Sequence, residues 1–274
     1  MMPGFKHCLA LVLLLGLAGC QMPNSAPTLS LESRQRLAQA ATSQGGGAAS
    51  LRTMREAARQ RPDNVALLSQ WAAAAEQAGE FAEAAEAQRM VMEIEGRTDA
   101  RFASIGRLLL RAGDSQAAVA AYRAAMRLAP RNASAANGLG LSHDMDGNRA
   151  EAQEAYRRGL AIAPTDWALR SNLAMSLIAS GASRQATVEL SDAEILPNAP
   201  AFARHNLALA FVGEGQMDRA VRVLRTEMGP AEARSMAEGM SAFLRWLTPS
   251  AMPTASADAV MTPVAAATGL SRRR

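Results

Sequence analysis

Few side chains here are of a type and spacing that could carry chemistry, and most are explained by packing or by the helix they sit on. Two histidines lie beyond the N-terminal segment, His143 and His205, and neither has a second ligand at metal-site spacing. Both fit a packed or surface-lining role. Serines are numerous, but none occupies a Gly-x-Ser-x-Gly elbow. The run Gly45-Gly46-Gly47 suggests a phosphate cradle, yet no Gly-Lys-Ser/Thr follows and no strand precedes it, so a flexible connection is expected. Glu80, Glu83 and Glu86 stand where a helix is expected to begin and complement its dipole. The 15 methionines, Met90, Met126 and Met175 among them, mostly fall at helical spacing and suit core or groove filling. These residues predict no enzyme, no metal, no cofactor and no small-molecule substrate.

Cys20 is the exception. Lys6 and His7 precede the apolar run Leu9 to Leu15, and Leu17-Ala18-Gly19-Cys20 closes it with small residues. That order is a secretory signal, too short to span a bilayer, which needs about 20 residues. The closing tetrad resembles a lipoprotein cleavage box, so residues 1–19 are expected to be a signal peptide. Cys20 is then the lipidated N-terminal residue, and its covalent lipid is the only non-protein group expected. Several acyl chains on one residue, at about 0.8 kcal/mol per buried CH₂, anchor firmly. Cys8 would leave with the signal, so no disulfide is available. Gln21, in place of the aspartate that often marks inner-membrane retention, favours the outer membrane. Residues 20–30 form a polar tether.

The elements that would present any site are helical. Aromatics are only 4% of the 274 residues, alanine and leucine dominate, and no stretch alternates as a strand does. The net charge of +4 has little to say: Lys6 leaves with the signal, and Arg272, Arg273 and Arg274 match the remainder. The repeat region is close to neutral, which argues against nucleic acid as a partner.

Glycine recurs every 34 residues, at Gly79, Gly113, Gly147, Gly181 and Gly215, each followed five residues later by alanine: Ala84, Ala118, Ala152, Ala186 and Ala220. That is the period of tetratricopeptide (TPR) units, pairs of antiparallel helices. One unit answers the family pattern with Phe102, Ile105, Gly106 and Leu109, then Ala118, Tyr122 and Pro130. The next answers with Ala136, Leu139, Gly140 and His143, then Ala152, Tyr156 and Pro164. Flanking units keep Trp71, Leu173 and Leu207 in the same column. The expected fold is an all-α TPR solenoid. A degenerate unit would cover 31–64, with Met54, Ala57 and Pro62 in its second helix. Five units would cover 65–230, beginning near Val65, Asp99, Ala133, Trp167 and Ala201. A capping helix over 231–248 would cover the last unit with Met236, Met240, Phe243, Leu244 and Leu247. Residues 249–274, rich in Pro, Ala, Ser and Thr, are expected to be a disordered tail.

Such an array offers a concave groove lined by the first helix of each unit. The periodicity places Arg107, Leu110 and Arg111 there from one unit, and Asn137, Leu141 and Met145 from the next. Asn172, Met175 and Ile178 follow, then His205, Asn206, Leu209 and Val212. Amides repeating in one column, as Asn172 and Asn206 do, can bond the backbone of a bound segment through donor and acceptor alike. Apolar residues beside them point to a peptide or an amphipathic helix as ligand.

The run Ala203-Arg204-His205-Asn206-Leu207-Ala208-Leu209-Ala210 follows the loop Leu196-Pro197-Asn198-Ala199-Pro200 and leads to Met228-Gly229-Pro230-Ala231-Glu232-Ala233. With the cleavage box, this resembles the TPR lipoproteins of the Tad (Flp) pilus assembly system, the TadD family. The resemblance implies an outer-membrane lipoprotein facing the periplasm that assists assembly of a pilus secretin. Its partners would be that secretin or another pilus-assembly component. Other TPR lipoprotein scaffolds share the architecture: the type IV pilotin, a β-barrel assembly component, or a regulator of a peptidoglycan enzyme.

Overall fold

A computed structural model describes residues 47–247, and every regular element among them is helical. The signal at 1–19, Cys20 and its tether, the start of the 31–64 unit and the tail at 249–274 lie outside the described residues. Helix α1 (Gly47–Gln60) precedes five helix pairs. They are α2 (Val65–Ala78) with α3 (Phe81–Glu95), α4 (Asp99–Arg111) with α5 (Ser115–Leu128), and α6 (Ala133–Met145) with α7 (Arg149–Ile162). Then come α8 (Trp167–Ala179) with α9 (Ser183–Leu190) and its one-turn continuation α10 (Asp192–Ile195), and α11 (Ala201–Gly213) with α12 (Met217–Leu224). Helix α13 (Pro230–Leu247) follows.

Local chemistry sets these boundaries. The side chains of Asn64, Thr98, Asn132 and Asp166, one per unit, accept from the backbone N–H three residues on, at 2.9–3.2 Å. Each such cap is worth about 1 kcal/mol. Pro200 holds the equivalent place in the last unit and supplies no side-chain cap. Between paired helices, Gly113 and Gly147 take φ of 82° and 77°, and nothing lies within 4 Å of where a Cβ would be. Backbone conformation, not crowding, demands glycine there. Ala129, ahead of Pro130, turns out of the helical region at φ −131° and ψ 83°.

Units are joined by aromatic rings seated on glycines. The buried Tyr122 ring of α5 lies between Gly106 of its own unit and Gly138 of the next, where a Cβ would come within 2.8 Å and 2.2 Å of ring carbons. The Tyr156 ring covers Gly140 in the same manner, with a Cβ there 2.4 Å from Cε1. The apolar interior forms two clusters. One runs from Leu51 to Leu139, takes in Ala155 of α7, and includes Trp71 and Tyr122; the other runs from Ala152 to Ala237 and includes Tyr156, Leu173 and Phe211. The Asp144 carboxylate sits at their junction, accepting from Tyr156 Oη (2.9 Å), Ser176 Oγ (2.8 Å) and Arg149 Nη1 (2.7 Å).

Successive first helices touch, α4 on α6, α6 on α8 and α8 on α11, whereas no comparable contact joins successive second helices among the described residues. The first helices therefore line the inner face and the second helices the outer one. Helix α13 packs Met236, Met240, Leu244 and Leu247 against the second cluster and buries Ala233 and Ala237. Phe243, expected in that cover, stays 39% exposed. At about 100° per residue it falls some 60° to one side of the Met240 stripe.

The glycines make opposing predictions. Gly138→Ala drives a methyl into the Tyr122 ring and should cost about 1–3 kcal/mol, despite the better helix propensity of alanine. Gly239→Ala, in α13 with nothing within 4 Å of its Cβ position, should gain roughly 0.5–1 kcal/mol. Urea unfolding of both variants checks the pair of signs.

Candidate functional site

The inner face is built from α2, α4, α6, α8 and α11. Its amides lie in adjacent columns. Gln70, Asn172 and Asn206 occupy one column at multiples of 34 residues, and Asn137 stands in the column beside it. Asn172 Nδ2 donates to Asn137 Oδ1 at 2.8 Å, tying α8 to α6. Asn206 makes no side-chain hydrogen bond among the described residues. Gln70 Oε1 is buried without a partner, and so is Ser171 Oγ beside Asn172. Gln70 was not singled out by sequence reasoning, although it lies three 34-residue steps before Asn172 and the column would have found it.

The flanking groups divide by chemistry. Arg107 and Arg111 of α4 both reach Glu76 Oε1 of α2, at 2.8 and 2.9 Å. The hydrogen bond from Arg107 does most to hold the Glu76 carboxyl below its ordinary range, against the opposing effect of burial. The Arg111 guanidinium also lies 3.9 Å from the centre of the Phe81 ring. All three charged groups are at least one-third exposed, so each pair is worth only about 0.2–1 kcal/mol. Leu141 and Met145 are open to solvent at 38% and 54%. Leu110 and Met175 are half-buried against the two clusters.

Three expected groove residues are core instead. Ile178, Leu209 and Val212 are 1%, 6% and 8% exposed within the second cluster. Helices α8 and α11 stack closely, and these positions face the stack rather than the groove. His205 is engaged elsewhere: its Nε2 lies 3.1 Å from Glu227 Oε2 beyond α12, close but without hydrogen-bond alignment. Arg204 Nη1 shares that carboxylate at 3.0 Å.

His143 is packed, at 6% exposure, and looks away from the inner face toward a cleft between α5 and α7. Burial, then the Arg123 charge, hold its pKa below the ordinary value of 6.5, opposed by Glu151, Asp146 and Asp144. Tyr156 is pushed far above its ordinary range, first by burial and then by the charge of Asp144. Among the described residues no group of three or more His, Cys, Asp or Glu side chains could hold a metal ion. Nor is any helix there long and apolar enough to cross a membrane.

The tetratricopeptide repeat family matches residues 104–166, from within α4 to the cap of α8. No curated protein matches the chain. Among solved structures, a tetratricopeptide repeat protein from Parabacteroides merdae is 16% identical, covering 80% of this chain and 86% of that one at a TM-score of 0.52. The APC/C hetero-tetramer Cut9–Hcn1 is 14% identical, covering 78% of this chain and 42% of that one at 0.51. MamA from Desulfovibrio magneticus RS-1 is 20% identical, covering 61% and 94% at 0.48. At such identities the first two likenesses speak for the fold alone, and with the tandem helix pairs they make the described residues an all-α TPR solenoid.

A depressed histidine pKa has a definite sign. The unfolded chain takes up the His143 proton near pH 6.5 while the folded one resists it, so this group lowers stability as pH falls below 6.5. His143→Leu should flatten that part of the stability profile between pH 7.5 and 5.5, as read by urea midpoints at fixed ionic strength. An unchanged slope would show that His143 does not titrate this way.

Proposed function

We propose that this chain is a scaffold that holds a polypeptide segment along its inner face, tethered by lipid on Cys20 to the periplasmic side of an outer membrane. Its task would be to assist assembly of a Tad/Flp-type pilus apparatus, with the secretin as the segment's source. The observation that carries the binding reading is the amide set Gln70, Asn137, Asn172 and Asn206 beside exposed Leu141 and Met145. An extended or helical segment needs backbone partners and an apolar seat, and this face offers both. Arg107 and Arg111 would add a basic end, already oriented by Glu76.

Support for the narrower assignment is the resemblance itself, which falls on α11, the loop before it and the start of α13. The amino-terminal cleavage box supports export and lipidation. TPR units in general hold other polypeptides, and nothing in the inner face calls for chemistry.

Co-isolation of the secretin tests the inner-face reading. Leu141→Glu with Met145→Glu changes only exposed side chains, and should reduce co-isolation of the secretin at least tenfold without altering the helical circular dichroism. Asn172→Ala should weaken it about fivefold, the worth of one hydrogen bond near 1 kcal/mol. Unchanged recovery with all three would reject the inner face as the site. Separately, Cys20→Ser should abolish palmitate labelling and release the protein from the membrane fraction. Deleting the gene should deplete heat-stable secretin multimers, and a normal level would reject the assembly role.

A further inference from the structure

The outer face holds a feature that the inner-face reading does not use. Between the second helices α5 and α7 lies a cleft of about 650 Å³ with five charged side chains at its rim: Arg123, Arg127, Glu151, Glu154 and Arg158. Among the described residues none of the five forms an ion pair, although Glu154 and Arg158 stand at a spacing that favours one. The adjoining cleft between α3 and α5, about 430 Å³, differs: its Arg97 is already paired with Glu93 at 3.1 Å.

At the lining of the first cleft is His143, more than nine-tenths buried, with Nδ1 lacking any hydrogen-bond partner. A buried polar atom left unpaired is destabilising in itself and marks the site as one worth explaining. The imidazole itself lines the cleft beside the charged rim, so a segment seated there lies against this ring.

We propose that this outer cleft is a second binding site, for a short peptide segment carrying one cationic and one carboxylate side chain. Register sets the polarity. Glu151 and Glu154 lie in the first half of α7, whereas Arg158, Arg123 and Arg127 lie in the second halves of α7 and α5. Repeat geometry makes these two helices parallel, so acid gathers at one end of the cleft and guanidinium at the other. Glu151 and Arg158 are seven residues apart, about 10 Å along the axis. An extended segment places residues i and i+4 on one side about 13 Å apart, within reach of long side chains, with residue i+2 between them. That middle residue meets an apolar floor of Met126 and Leu139. Three guanidiniums against two carboxylates leave little net attraction for a phosphate or a polyanion, and guanidinium forks suit a planar carboxylate.

Imidazole signals report on the site directly, because the chain has only three histidines, His7, His143 and His205. The experiment titrates the ¹⁵N-labelled full chain at pH 7.5 with acetyl-Lys-Ala-Leu-Ala-Asp-amide. The neutral analogue acetyl-Gln-Ala-Leu-Ala-Asn-amide and inorganic phosphate are run in parallel. Saturable shifts at His143 and not at His205 are expected, with the neutral peptide at least tenfold weaker. Arg123→Gln with Arg158→Gln, and separately Glu151→Gln, should each weaken the charged peptide at least tenfold while leaving the urea midpoint unchanged. No His143 shift up to millimolar peptide would overturn the proposal. So would equal binding of the neutral peptide, insensitivity to these substitutions, or phosphate acting as strongly as the peptide.

Discussion

A helix pair buries one apolar face within itself and leaves another that only the next pair can cover. Everything else in this chain depends on that incompleteness being met at each junction. Tyr122 shows how. Its ring belongs to α5, yet it fills space made by glycines in both α4 and α6. Burying a large aromatic side chain is worth on the order of 1.5–3 kcal/mol. That exceeds the roughly 1 kcal/mol of any single helix cap, so stacking, not local helix signals, holds the array in order. The glycines are the other half of the interaction: with side chains there, the rings would have nowhere to sit.

The stack is not uniform. Between α6 and α8 the apolar interior divides into two clusters, and the junction is polar: Asp144 gathers Tyr156, Ser176 and Arg149, while Asn172 reaches Asn137. Directional bonds replace part of the non-directional packing there, fixing how α8 sits on α6. A satisfied, part-buried network of this kind specifies one register at little net gain in stability. The same junction places the Asn137–Asn172 pair on the inner face, so the contact that sets the register also shapes the surface offered to a segment.

The sequence made the helix pairs legible because their strongest signals are backbone-level ones. Gly113 and Gly147 must accept positive φ, and Pro130 and Pro164 stop a helix whatever surrounds them. The caps Asn64, Thr98, Asn132 and Asp166 carried the same period in residue types that vary from unit to unit, which hid them from a search for identity. Side-chain direction was harder to read. A 34-residue column says which residues are equivalent, but not whether stacking covers them. Leu141 and Met145 remain open on α6, whereas Ile178, Leu209 and Val212 are buried where α8 and α11 stack. For His143 the sequence leaves a packed and a groove-lining role open; that its ring is packed and lines the outer cleft depends on the α5–α7 gap, which no local pattern encodes.

Curvature gives the two faces different chemistry. From α4 to α11 the first helices touch one another, so the inner face is continuous there and brings Asn137, Asn172 and Asn206 along it. The second helices do not close on one another, and a cleft opens between neighbours on the outer side. Whether a cleft is merely a gap depends on its rim. Where Glu93 and Arg97 pair, the charges satisfy each other at the surface. Where Arg123, Arg127 and Arg158 face Glu151 and Glu154 without pairing, the separated charges rim a cleft that the packed His143 ring also lines. A continuous line suits a segment read mainly through its backbone, and a polar-ended cleft suits one read through its side chains. On the two proposed readings the inner-face and outer-cleft residues are separate sets, so neither segment would compete for the other's residues.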